Sequence, residues 1–223
     1  MKTDEIRFTE DGLERRYAAL TMRAAGDAQK PVIEGEAAVF GVETVVARWW
    51  REKIVAGAFT RVLSESPDVI GAFNHNWDFV LGRTTAGTLR LEQTDAALRY
   101  VIDVNPNDTQ AMSVYEKVKR GDVTQSSFAF TVRQQVWTEP ADDSEEELPL
   151  REITEIGKLY DVGPVPFAQY PEASAQARSQ VETFLQKRSA QTAPGGAGAP
   201  RPTAMQMRRR RIELAEHAIY HKE

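Results

Sequence analysis

The sequence predicts an α+β fold that is mainly β, with short strands closing, or nearly closing, into a barrel flanked by helices. Three observations predict it. Short apolar, alternating segments recur between polar turns from residue 31 to residue 165. One internal segment carries helix start and stop signals, and a second helical segment follows the last strand. With many short strands and few helices, closing the strands into a barrel is the economical way to bury their faces.

Taken in order, "PVIEGEAAVFG" (31–41) alternates as a strand. "REKIVAGAFTRVL" is a strand running into a short helix. "DVIGAFNHNWDFVLGRT" is a strand, a polar loop and another strand, and "TLRLEQTDAALRYVIDV" is a hairpin turning near Gln93 to Ala96. "NPNDTQAMSVYEKVKRGD" is a helix: Asn107 or Asp108 caps its start, Lys119 and Arg120 suit its last turn, and Gly121 suits its stop. "GDVTQSSFAF" (121–130) opens a long strand reaching about Trp137. An acidic, solvated loop, "TEPADDSEEELP", separates it from the strand "REITEIGKLYDVGPV". "PEASAQARSQVETFLQKR" is a terminal helix. The folded body is thus expected over residues 1–188, an Ala/Gly/Pro-rich flexible linker over 189–205 and a basic tail over 206–223.

Composition narrows the function. Of 223 residues, 41% are hydrophobic and 27% charged, as in a soluble globular protein. No apolar run approaches the roughly 18 residues of a membrane span, so no membrane partner is expected. The charged start "MKTDEIRFTEDGLERRY" does not read as a secretory signal. The absence of cysteine excludes disulfides, thiolate zinc sites and cysteine nucleophiles. From Gln186 onward eight Lys/Arg and three Asp/Glu give +5, which leaves −10 for residues 1–185 of a chain whose net charge is −5. An acidic body with a basic tail points to a separate partner for the tail.

The chain holds three histidines, and His217 and His221 lie beyond the linker. A histidine base in the body must therefore be His75, in "FNHNWDF". Adjacent strand residues point to opposite faces. Ser126 shares a face with Phe128 and Phe130, whereas Ser127 lies with Gln125, Ala129 and Thr131. If the phenylalanines fill the interior, Ser127 faces outward beside a small alanine, where a substrate can approach. A serine needs a base to take its proton, and the base needs an orienting partner, often a carboxylate. Glu155 and Asp161, at even spacing on one strand, are both placed to supply it. No cofactor or metal is expected: the body has too few histidines for a histidine-built metal cluster, and "PGGAGAP" lacks the strand and lysine of a phosphate loop. A two-carboxylate glycosidase stays open, although no acidic pair singles itself out.

The segments "GEAAVF", "REKIVAGAF", "FNHNWDFVLGRT", "VKRGDVTQSSFAF" and "LYDVGPVPFAQYPEAS", in this order, resemble the prohead (procapsid maturation) serine proteases of tailed phages, which are related in fold to the herpesvirus assemblins. The resemblance spans roughly residues 33 to 175 and makes 1–188 a serine protease domain. It implies a serine endopeptidase with Ser127, directly before Phe-x-Phe, as nucleophile and His75 as base. Asp161 is the first choice for the third catalytic residue and Glu155 the second, because "DVGPVPFAQYP" stands where the family reads "EVSVVTFPAYP". Arg83 and backbone amides near Ser127 are candidate oxyanion donors. The implied substrates are the scaffold, or the scaffold-like part of the major capsid protein, and the enzyme itself. The implied location is the assembling procapsid in the host cytoplasm. The basic tail then reads as a segment docking on capsid or scaffold, with nucleic acid at Arg208 to Arg211 the less favoured partner and a homo-oligomer left open. A capsid or tail structural protein that keeps the fold without catalysis is the alternative.

Overall fold

A computed structural model of the chain describes residues 3–7, 12–18, 22–46, 50–138, 140 and 148–166. The predicted terminal helix, the linker and the basic tail, and most of the acidic loop, lie outside these residues. The charged N-terminal segment supplies three strands that its composition did not announce: β1 (Thr3–Arg7), β2 (Glu14–Ala18) and β3 (Met22–Gly26). Then come β4 (Pro31–Val39), β5 (Thr44–Val46), β6 (Trp50–Ile54) and the short helix α1 (Thr60–Ser64). Strands β7 (Ile70–Ala72) and β8 (Val80–Arg83) flank the His75 loop, and β9 (Leu89–Gln93) and β10 (Ala97–Asp103) form the expected hairpin. Helix α2 (Thr109–Arg120) leads into two long strands, β11 (Gln125–Thr138) and β12 (Leu150–Val165).

Helix α2 follows its sequence signals. The Asp108 carboxylate accepts from the backbone amides of Gln110 and Ala111, and Gly121 closes the helix with a left-handed φ of 88°. Ala111, Val114, Tyr115 and Val118 form one buried stripe, and the Tyr115 hydroxyl reaches the Ala25 carbonyl of β3.

The fold is α+β and mainly β, but the expected barrel is not formed. Among the described residues the strands make two open sheets, one of eight strands and one of four in the order β3-β4-β10-β9. The reason lies in the two long strands. One edge of β11 pairs antiparallel with β1 and then with β2, while its other edge pairs with β12. The far edge of β12 takes β6 and then β7, both parallel. The large sheet therefore grows by branching instead of wrapping onto itself. The core lies between the sheets and under the helices. Phe59 meets Phe128 edge-on, Phe128 stacks on Phe130, and Ile33, Leu98, Ile102, Ile153, Ile156 and Leu159 complete the packing.

Gly163 sets how closely two site-bearing strands approach. Its φ is 156°, and a Cβ there would sit 2.1 Å from the Ala72 carbonyl oxygen. Only glycine lets β7 close on β12 directly opposite Ser127, its register partner on β11.

Candidate active site

No register shift falls between Ser126 and Ala129, so the alternation of β11 holds through the serine pair. Ser126 points into the core, where its hydroxyl and that of Tyr100 bond at 2.8 Å. Burial pushes the Tyr100 phenol up, so the pair stays neutral. Ser127 points to the opposite face. It was expected to lie open to a substrate there, and it does not: it has no exposed surface. Strand β2 runs alongside it, and the Arg16 carbonyl accepts a hydrogen bond from its Oγ at 2.9 Å. On its other side Ser127 Oγ is hydrogen-bonded to His75 Nε2.

His75 sits in the polar loop between β7 and β8. Asn74 and His75 both have left-handed backbones, with φ of 54° and 56°. The loop is pinned at its base by the Phe73 amide on the Phe79 carbonyl (3.3 Å) and by the two rings, 5.6 Å apart. The Asn74 amide donates to the Pro164 carbonyl of β12 at 3.0 Å, which draws the turn onto the strand that carries Asp161.

Asp161 is almost fully buried. Its Oδ1 accepts from His75 Nδ1 at 2.7 Å and its Oδ2 from Trp77 Nε1 at 2.5 Å. A carboxylate only accepts, so Nδ1 carries a proton; in the neutral form of the imidazole Nε2 then presents its lone pair to Ser127, whose one proton can go either to it or to the Arg16 carbonyl. Trp77 is held by stacking on Tyr160, with ring centroids 6.0 Å apart and planes 11° from parallel. The three residues named from the sequence, His75, Ser127 and Asp161, thus lie in one hydrogen-bonded line. Such a line can move a proton from a hydroxyl to an imidazole whose far side is held by a carboxylate.

The other named residues lie elsewhere. Glu155 is bound to Arg61 of α1, with Arg133 at 3.5 Å. The Arg83 guanidinium grips Asp68 at 2.7 and 2.6 Å on the surface. Two features had no signal in the sequence. Trp77 stands two residues after His75, but nothing local marks it as a donor to a carboxylate 84 positions away. The second is a buried ion cluster. Glu14 and Arg16 of β2 meet Glu52 of β6 and Arg151 of β12, with Arg151 to Glu14 at 2.7 and 2.8 Å and Arg16 to Glu52 at 2.8 Å. Burial opposes the charge on Glu14, but the Arg151 and Arg16 guanidiniums outweigh it and hold its pKa at about 2. Glu52 is lowered against its burial in the same way, by Arg16 first and Arg151 second.

Residues 18–187 match the family described as caudovirus prohead serine protease, and the chain belongs to that family of tailed phages. Searches of curated proteins and of solved structures each return no match.

Proposed function

We propose that the chain is a serine endopeptidase that cleaves the scaffold, or the scaffold-like part of the major capsid protein, inside the assembling procapsid in the host cytoplasm. The observation that carries this reading is the Asp161–His75–Ser127 hydrogen-bonded line in a chain of this family. Ser127 Oγ attacks the scissile carbonyl carbon while His75 Nε2 takes its proton. The imidazolium returns that proton to the leaving amine. Water, deprotonated by the same nitrogen, then hydrolyses the acyl-enzyme. The Asp161 carboxylate fixes the imidazole tautomer and stabilises the imidazolium. Trp77 holds the second carboxylate oxygen and so fixes the orientation of the first.

The direct test is co-expression with the cognate capsid protein and scaffold, followed by mass analysis of both. Wild type is expected to shorten one or both, and Ser127→Ala to leave them intact. Intact substrates with wild type, under conditions where procapsids form, would overturn the reading. The basic segment 206–223 is read as the element that delivers the enzyme into the shell. A chain ending at Arg188 is expected to cleave substrate in solution yet be missing from purified procapsids; normal packaging of that chain would place the signal in the body.

A further inference from the structure

An extended peptide binds readily by adding a strand to a sheet edge, where main-chain hydrogen bonds hold it and alternate side chains read it. The edge of β11 that passes Ser127 is already filled by the chain itself. Residues 3–7 pair along 134–138 and residues 14–18 along 126–130, so one N-terminal arm follows most of that edge. The arm sets a peptide carbonyl, that of Arg16, in hydrogen-bond contact with Ser127 Oγ. A hydroxyl has one proton. While Ser127 donates to Arg16, that proton is not directed at His75 Nε2, and no other peptide reaches the nucleophile.

How the arm is held bears on whether it can leave. None of its described side chains is a buried apolar one: Glu14 is buried, Arg16 and Leu13 are half-buried, and Gly12 and Arg15 are exposed. Among the residues whose burial is described, the buried hydrophobic core begins in chain order at Ile33. Beyond edge pairing, the arm is latched by charge. It contributes one acid and one base to the cluster, Glu14 and Arg16, which bond to each other at 2.5 Å. The body contributes Glu52 and Arg151, which bond to each other at 2.9 Å. Withdrawing the arm therefore leaves a neutral pair on each side and strands no lone buried charge, the outcome that makes breaking most buried ion pairs so costly.

We propose that the β11 edge at Ser126–Phe130 is the seat of the substrate strand, and that β2 is a pseudosubstrate that fills it until the arm is displaced. The ligand is an extended peptide lying antiparallel to β11, its scissile carbonyl where the Arg16 carbonyl now sits. This rests on the reading of Ser127 as nucleophile.

Two full-length variants test it by the rate at which a fluorophosphonate modifies Ser127. Glu14→Gln combined with Arg16→Gln loosens the latch and keeps the Glu52–Arg151 pair. The combination of Arg15→Cys and Ala129→Cys joins register partners on β2 and β11 in a chain that has no other cysteine, so oxidation locks the arm in place. The loosened variant is expected to react roughly tenfold faster than wild type, in proportion to the larger arm-free fraction. The oxidised pair is expected to be inert and to recover on reduction. Equal rates in wild type, the folded loosened variant and the oxidised pair would overturn the proposal. A different pattern, no modification of Ser127 in any form together with undiminished cleavage by Ser127→Ala, would instead remove the nucleophile assignment beneath it.

Discussion

The two ends of the β11–β12 ladder bury polar groups in opposite ways. At one end Ser127, His75 and Asp161 are joined by few hydrogen bonds, one of which the serine shares with the Arg16 carbonyl. At the other end Arg151 meets Gln135, Glu14 and Glu52, and Trp50 adds an indole N–H to Glu52 at 3.2 Å. The first end leaves one proton with a choice of acceptors. The second pairs each charge with at least two partners. A site that must move a proton needs the former; a clamp needs the latter. The two ends should therefore respond to mutation in different currencies, rate at one and stability at the other.

The largest expected effect is on rate. Ser127→Ala should lower kcat/KM by about 10⁴-fold or more, His75→Ala equally, and the double variant no further, because groups acting as a unit are not additive. Ser126→Ala, one residue away and bonded to Tyr100, should keep most of the activity. Steady-state cleavage of a capsid or scaffold peptide measures all four, and near-normal turnover by Ser127→Ala would erase the contrast between the ends. Next is stability. Arg151→Met leaves two buried carboxylates facing one guanidinium and should cost about 3–5 kcal/mol, read from urea unfolding, whereas Ser127→Ala should unfold within about 1 kcal/mol of wild type.

A smaller effect sharpens the site end. Trp77→Phe keeps a ring over Tyr160 but removes the donor to Asp161, and should lower kcat roughly tenfold with KM little changed, at a stability cost of about 1–3 kcal/mol from the buried carboxylate oxygen left bare. A rise in KM with kcat unchanged would show that Trp77 touches substrate rather than positioning the carboxylate. The smallest effect is in acid. The folded pKa of Glu14 is depressed to about 2, so its stabilising contribution is complete above its ordinary value of 4.5 and is lost as pH falls from there toward 2. The stability gap between wild type and Glu14→Gln should narrow over that window and stay constant above it, as followed by urea unfolding across pH.

What was legible in the sequence was what is local. Apart from β5, which no signal announced, strand and helix positions from β4 to β12 follow from alternation and capping, and the opposite faces of Ser126 and Ser127 followed because β11 runs unshifted past both. The choice between Asp161 and Glu155 could not be read that way. The ladder shifts register on β12 at Gly157 and Tyr160 and on β11 at Arg133, so even spacing on β12 does not place the two carboxylates at one site. The barrel expectation failed because branching depends on which edges pair, and that is not written in any one segment. The arm was hidden for a related reason. "ERRYA" closes a charged start with no apolar alternation, and its acid and base join a buried cluster only because Glu52 and Arg151 stand on other strands.

The central claim is that Ser127, activated by His75, is the attacking group. Its most direct test is mass-spectrometric mapping of the adduct formed by a fluorophosphonate on the full chain. The account predicts a single adduct, on the peptide containing Ser127, formed by wild type and Ser126→Ala and lost in His75→Ala. An adduct on another serine, or one on Ser127 that forms at the same rate without His75, would contradict it.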